Sequence, residues 1–198
     1  MSTSYIKALR ETLPKIDIVF DRFHVIKLAN KALDDVRKTV YNELNRGSRK
    51  YLKRSRFLLL RNQKDLSFKE VQRLEKIVAK YEVLGIAHML KEDLRGIWNI
   101  RFKSVAREAF VNWALDVISL VCLSGETRLE PLRKFAVTLL SHLNGILTYW
   151  DHQITNGRAE GLNNKIKTMK RQVYGFRDMP YFKLRLYHLH AQKHRFAG

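Results

Sequence analysis

Two short stretches hold the side chains best suited to chemistry. The first is Asp21-Arg22-Phe23-His24, which follows the apolar run Ile16-Asp17-Ile18-Val19-Phe20. A carboxylate at the carboxyl end of a strand lies where α/β sheets place functional groups, and it can ligate a hard divalent cation through oxygen. The same Asp can instead cap the helix that starts near Phe23. His24 can orient a neighbour or make an ordinary polar contact. The second stretch is Thr155-Asn156-Gly157-Arg158-Ala159-Glu160-Gly161-Leu162-Asn163-Asn164-Lys165-Ile166-Lys167. Its single acid, Glu160, opens a helix otherwise rich in cations. Glu160, Asn163, Asn164 and Lys167 recur at spacings of three and four and so share one helical face. A Glu near a helix N-terminus often serves only the helix dipole. Gly161 permits close approach to the backbone, and the asparagines supply uncharged donors and acceptors, which suits a site.

The elements around these residues follow from apolar spacing and punctuation. Residues 2–12 read as a helix ended by Pro14. Ile16–Phe20 is short and β-branched and reads as a buried strand ending at Asp21. From His24, the residues Val25, Leu28, Ala32, Val36 and Val40 predict a helix to about Asn45, closed by Gly47. Phe57-Leu58-Leu59-Leu60 is too short for a helix face and reads as a second strand. Ser67 and Glu70 form a capping-box signature before a helical block with helices near 68–81, 84–95, 103–123 and 129–148. Gly85, Gly96 and Gly125 are the expected joints. Gly175 should end the helix that opens at Arg158, and Pro180 should open the last one. Trp98, Trp113 and Trp150 are expected core anchors, and Cys122 is expected to pack inside an apolar helix.

Charge narrows the function classes. Among 198 residues, 38 Lys and Arg stand against 19 Asp and Glu, a formal net charge of +19. With 45% hydrophobic residues the chain can bury a core, so this imbalance points to a polyanion, nucleic acid first. The cations are concentrated in residues 46–64, which contain no acid, and in residues 158–198. Aromatics are interleaved in the second segment, and of these Tyr181 and Phe182 fit a core stripe with Leu186 and Leu189. A single cysteine excludes an internal disulfide and paired-cysteine zinc fingers. No apolar run reaches membrane-spanning length. The segment Met1–Tyr5 has neither the basic nor the apolar region of a signal peptide, so a cytosolic protein is expected.

The stretch Asp21-Arg22-Phe23-His24-Val25-Ile26-Lys27, a helical block and then Thr155–Lys167, in that order, resembles the DDE transposases of bacterial insertion sequences, in particular the ISL-three branch. Arg171-Gln172-Val173-Tyr174-Gly175-Phe176-Arg177 and the Tyr181-Phe182 pair fit the same pattern, so the resemblance covers essentially the whole chain. It implies an RNase H-like α/β fold whose acids hold two Mg²⁺ (or Mn²⁺) ions for in-line phosphoryl transfer, that is, DNA strand cleavage and transfer. On this match Asp21 is the second acid, at the end of the fourth strand. Glu160 is the third, and residues 57–60 form the fifth strand. DNA contacts are expected from His24, Arg158, Asn163, Asn164, Lys167, Lys170 and Arg171. The resemblance also implies a cytoplasmic, nucleoid-associated bacterial protein whose partner is DNA, at element ends and target. It further implies a homo-oligomer, or a hetero-oligomer with full-length transposase, and no membrane association.

The family pattern at the first acid runs Asp-Met-Ser, whereas this sequence starts Met1-Ser2. The first acid, the first three strands and the family's N-terminal DNA-binding regions are therefore expected to be missing. The expected architecture is a partial RNase H-like fold with a core of 1–64 and 151–198 and an all-helical insertion at 65–150. The expected two-metal site is incomplete and the chain inactive alone. The alternative is a non-catalytic DNA-binding or interfering fragment.

Overall fold

The computed structural model describes residues 11–13, 16–153, 157–172 and 178–191, and every regular element among them is helical. Most of the expected helix at 2–12, the Thr155-Asn156 turn, residues 173–177 and the tail beyond 191 lie outside the described residues. The chain divides into two units, Met1–Ile154 and Thr155–Gly198.

In the first unit, α1 (Arg22–Glu43) leads to the short α2 (Arg46–Leu52) and α3 (Arg56–Leu60). Then come α4 (Phe68–Lys80), α5 (Glu82–Ile97), α6 (Lys103–Ser124), α7 (Glu130–Ser141) and α8 (Leu143–His152). Helix α1 is the hub. Its residues Val25, Ala29, Leu33, Val36 and Val40 are buried at spacings of three and four, and the helix packs on α3, α5 and α7. Helix α6 packs on α5, α7 and α8, with Phe110, Ala114 and Val117 fully buried. Asn45, not Gly47, sets the next boundary, because its side chain accepts from Ser48 N at 3.0 Å and caps α2. The Glu70 carboxylate accepts from both the N–H and the Oγ of Ser67 at 2.9 Å, as the capping-box signature predicts. Gly125, at φ +65°, ends α6. Gly85 and Gly96 instead lie within α5. No helix among the described residues is long and apolar enough to cross a membrane.

The expected α/β fold is not what forms. No strand occurs among the described residues, so the partial RNase H-like sheet is replaced by an all-helical architecture. A strand needs a partner ladder, and Ile16–Phe20 finds a helix instead. Its Phe20 N–H donates to Gly145 O at 2.8 Å, and its Ile18 O accepts from Thr148 Oγ1 at 2.8 Å. The second expected strand, 57–60, is the helix α3, with Leu58 and Leu59 buried and Phe57 exposed. Four consecutive apolar residues do not distinguish a strand from a buried helical turn. Here packing between α1 and α4 decides in favour of the helix.

Aromatic side chains fix the end of the unit that carries α8. Trp98 stacks on Trp150 with ring centroids 5.2 Å apart and meets Phe110 and Tyr149 edge-on. Trp113 and Trp150 satisfy their indole N–H groups on Leu90 O and Ile100 O. Cys122, expected inside, is exposed on α6.

His88 in α5 is buried, and its Nε2 has no hydrogen-bond partner among the described residues. Burial, with help from the nearby Lys91 and Arg95 charges and against Glu92, pushes its pKa down to about 4. The unfolded chain therefore binds this proton more readily than the folded one. Stability contributed by neutral His88 is complete near neutral pH. It is lost as pH falls from the ordinary histidine value of about 6.5 towards about 4. Between those limits the wild type should lose about 2 kcal/mol more than His88→Leu, measured by urea unfolding. Parallel pH dependences in the two proteins would remove His88 as the cause.

Candidate functional site

Asp21 is held from two directions. Upstream, residues 16–20 dock on α8 through the two backbone contacts above. A 3.0 Å pair between Asp17 and His152 Nε2 and an edge-on contact of Phe20 with His142 add to them. The docking needs a glycine. A Cβ on Gly145 would stand 2.5 Å from Phe20 Cδ2 and 3.2 Å from Ile18 O. Downstream, Asp21 is the N-cap of α1, its Oδ1 accepting from Phe23 N at 2.6 Å. The capping role is thus realised. It does not exhaust the group, since an ionised carboxylate has about four acceptor positions. His24 lies in the first turn of α1, half-buried, with its ring edge-on to Phe23.

The second set of predicted residues falls on α9 (Gly157–Gln172) of the second unit. Leu162, Ile166 and Met169 turn inward, with Met169 buried, while Asn163, Asn164, Lys167, Lys170 and Arg171 are exposed. At about 100° per residue these are opposite faces of one helix. The spacing argument therefore holds for Asn163, Asn164 and Lys167. Glu160 and Arg158 lie on the same helix, in its first turn, and their side chains lie outside the described residues. Lys170 Nζ sits 4.9 Å from the centroid of the Phe182 ring on α10 (Met179–Ala191), so it also ties the two helices of this unit together. Asp178 caps α10 by accepting from Tyr181 N at 3.1 Å. Phe182 and Leu186 are half-buried, in line with a core stripe, but Tyr181 is exposed. Tyr187 is exposed as well.

Among the described residues, no three His, Cys, Asp or Glu side chains gather as a metal site. Asp21 has the right chemistry for one oxygen ligand to a hard cation, but the described side chains do not make up a ligand set. What sequence reasoning missed is the support for Asp21. Gly145, Thr148 and His152 lie more than a hundred residues downstream, and only the Gly145–Thr148 spacing on one helix hints at a docking face.

The comparisons with known proteins fit these motifs. A transposase family model of the ISL-three type matches residues 1–186. The transposase for insertion sequence element IS1001 of Bordetella parapertussis is 32% identical over 189 residues, covering 94% of this chain and 45% of that protein. The transposase for insertion sequence element IS1557 of Mycobacterium tuberculosis is 25% identical over 182 residues, covering 79% of this chain and 39% of the relative. The chain thus spans less than half the length of the curated relatives it matches. No solved structure matches it. With the Asp21 and Glu160 motifs both inside a match that runs through residue 186, the chain belongs to the ISL-three family of transposases.

Proposed function

We propose that this chain serves DNA transposition. In this reading Asp21 and Glu160 are two carboxylates of the cleavage centre, and α9 is a DNA-contacting helix. The observation that carries it is the exposed Asn163, Asn164, Lys167 and Arg171 face of α9, set opposite its apolar stripe in a chain of net charge +19. Lysine and arginine on that face neutralise phosphates. The asparagines hydrogen-bond phosphate oxygens or base edges. His24 and Arg158 contribute further contacts near the two acids. A divalent cation, Mg²⁺ or Mn²⁺, would supply activation of the attacking oxygen, with Asp21 and Glu160 as ligands. Cutting is proposed for the full-length protein, and DNA binding for this stretch. Oligomer formation with full-length transposase belongs to the same reading.

Because Asp21 also caps α1, the two roles need separate substitutions. Asp21→Asn keeps an equally good cap and removes the charge, whereas Asp21→Ala removes both at a cost of about 1 kcal/mol. In a full-length family member carrying this sequence, both variants and Glu160→Ala are expected to abolish strand cleavage and leave DNA binding intact. Only Asp21→Ala should lower the thermal midpoint. Full cleavage by Asp21→Asn would reduce Asp21 to a helix cap. For this chain alone, affinity for DNA should fall steeply with salt and ignore Mg²⁺.

A further inference from the structure

Residues 46–64 contain eight Lys and Arg and no acid, and the structure gathers most of them around one cleft. The cleft has a volume of about 730 Å³ and lies between α2, the turn after it and α4. Its cations fall into two groups. Arg49 and Arg73 form the frame. Arg49 donates through Nε to Tyr41 O at 3.1 Å and through Nη2 to Asn42 O at 2.7 Å, and it lies over the Tyr41 ring. It thereby satisfies carbonyls at the C-terminus of α1. Arg73 Nη2 donates to Lys53 O at 3.1 Å and ties the turn to α4.

The other four, Arg46, Lys50, Lys53 and Arg54, are exposed, and their side chains make no ion pair or hydrogen bond among the described residues. Three arginines outside the cleft are, by contrast, matched to carboxylates: Arg37 to Asp34, Arg61 to Glu70, Arg133 to Glu130. Other cations of the unit also lack a carboxylate partner, but here four of them line one cleft. Arg54 adds a second, independent sign. Its φ of +65° places a long side chain in the left-handed region, where glycine or asparagine is the ordinary choice.

Four unmatched cations on a fixed frame, in an open groove too wide for a single small anion, suit a run of phosphates. We infer that this cleft holds the sugar–phosphate backbone of duplex DNA and adds a second DNA contact distinct from α9. The inference rests on the DNA reading above. The contact is assigned to charge and not sequence, as lysine and arginine contacts to phosphates are.

The test uses the full 198-residue chain and a fluorescent duplex of arbitrary sequence, with anisotropy read across a salt series. The cleft variant combines Arg46→Ala, Lys50→Ala, Lys53→Ala and Arg54→Gly. A charge-matched control carries Lys31→Ala, Lys69→Ala, Lys76→Ala and Lys134→Ala, all exposed positions outside the cleft. The cleft variant should bind about 30-fold more weakly, with a salt slope shallower by about 3, while the control stays within about threefold of wild type. Arg54→Gly alone, which relieves the left-handed backbone, should raise the melting temperature and still weaken binding, so unfolding is not the explanation. Equal losses in the cleft variant and the control, or none in the cleft variant, overturn the cleft while leaving DNA binding by the chain in place. A wild-type chain that binds no duplex overturns the DNA reading itself. Displacement of the duplex by RNA at lower concentration, or by pyrophosphate at equal concentration, assigns the cleft to another polyanion and overturns the duplex.

Discussion

Gly145→Ala is expected to release Asp21 without unfolding the protein. The new Cβ would fall on the Phe20 ring and crowd Ile18 O. Overlap of this kind costs about 1–3 kcal/mol if nothing moves. The substitution also improves α8, since alanine outranks glycine in a helix interior by about 1 kcal/mol. The cheapest relief is therefore for residues 16–20 to leave α8, giving up the Phe20–Gly145 and Thr148–Ile18 hydrogen bonds. The thermal midpoint should barely change, while proteolysis between residues 16 and 21 accelerates. In a full-length family member, strand cleavage should fall about tenfold to a hundredfold, the scale expected when a reacting group is misplaced by an ångström. Phe20→Leu in the Gly145→Ala background should recover part of the loss by making room for the methyl. Wild-type cleavage in a protein whose segment has demonstrably undocked would show that Asp21 needs no such support.

Lys91→Met is expected to give the largest loss of stability, about 3 kcal/mol by urea unfolding. The Lys91 side chain is fully buried on α5. Its Nζ donates to Leu59 O at 2.8 Å and Arg61 O at 3.0 Å, and it meets Glu92 Oε1 at 2.5 Å. Burial pulls its pKa below the ordinary lysine value, and Glu92 opposes that shift. The two carbonyls belong to the end of α3, where no further helical turn exists to receive them. Methionine fills the volume but leaves both carbonyls and one carboxylate without the ammonium. The urea slope should stay constant, marking a change in stability and not in cooperativity. A loss below about 1 kcal/mol would mean that desolvation of Lys91 had cancelled its bonds, the other outcome known for buried charges.

Lys91 also explains why α3 was illegible. Nothing within residues 57–60 separates a strand from a helical turn, and the group that completes the turn lies about thirty residues away. The same holds at Ile16–Phe20. Its composition favours a strand, but a strand exists only with a neighbour, and the groups that receive this segment are on α8. Local patterns fared better where the physics is local. The spacing of Val25, Val36 and Val40 placed α1, Ser67 and Glu70 marked the start of α4, and Gly125 closed α6. Helix 129–148 was one element by periodicity and is two in the structure, broken at His142.

Taken alone, the sequence determined the helical block, the shared face of Asn163, Asn164 and Lys167 on α9, the large positive charge and the family. Each depends on residue type and short-range spacing, which side-chain period and charge convert directly into structure. Only the tertiary structure decided that the apolar runs beside Asp21 and at 57–60 form no sheet. It alone decided that Gly145 seats the Asp21 segment, and that five cations of a basic stretch and Arg73 divide into a bonded frame of two and four unmatched charges. Those outcomes depend on partners far apart in the chain, and the backbone hydrogen bonds of a short segment go to whichever partner packing brings near.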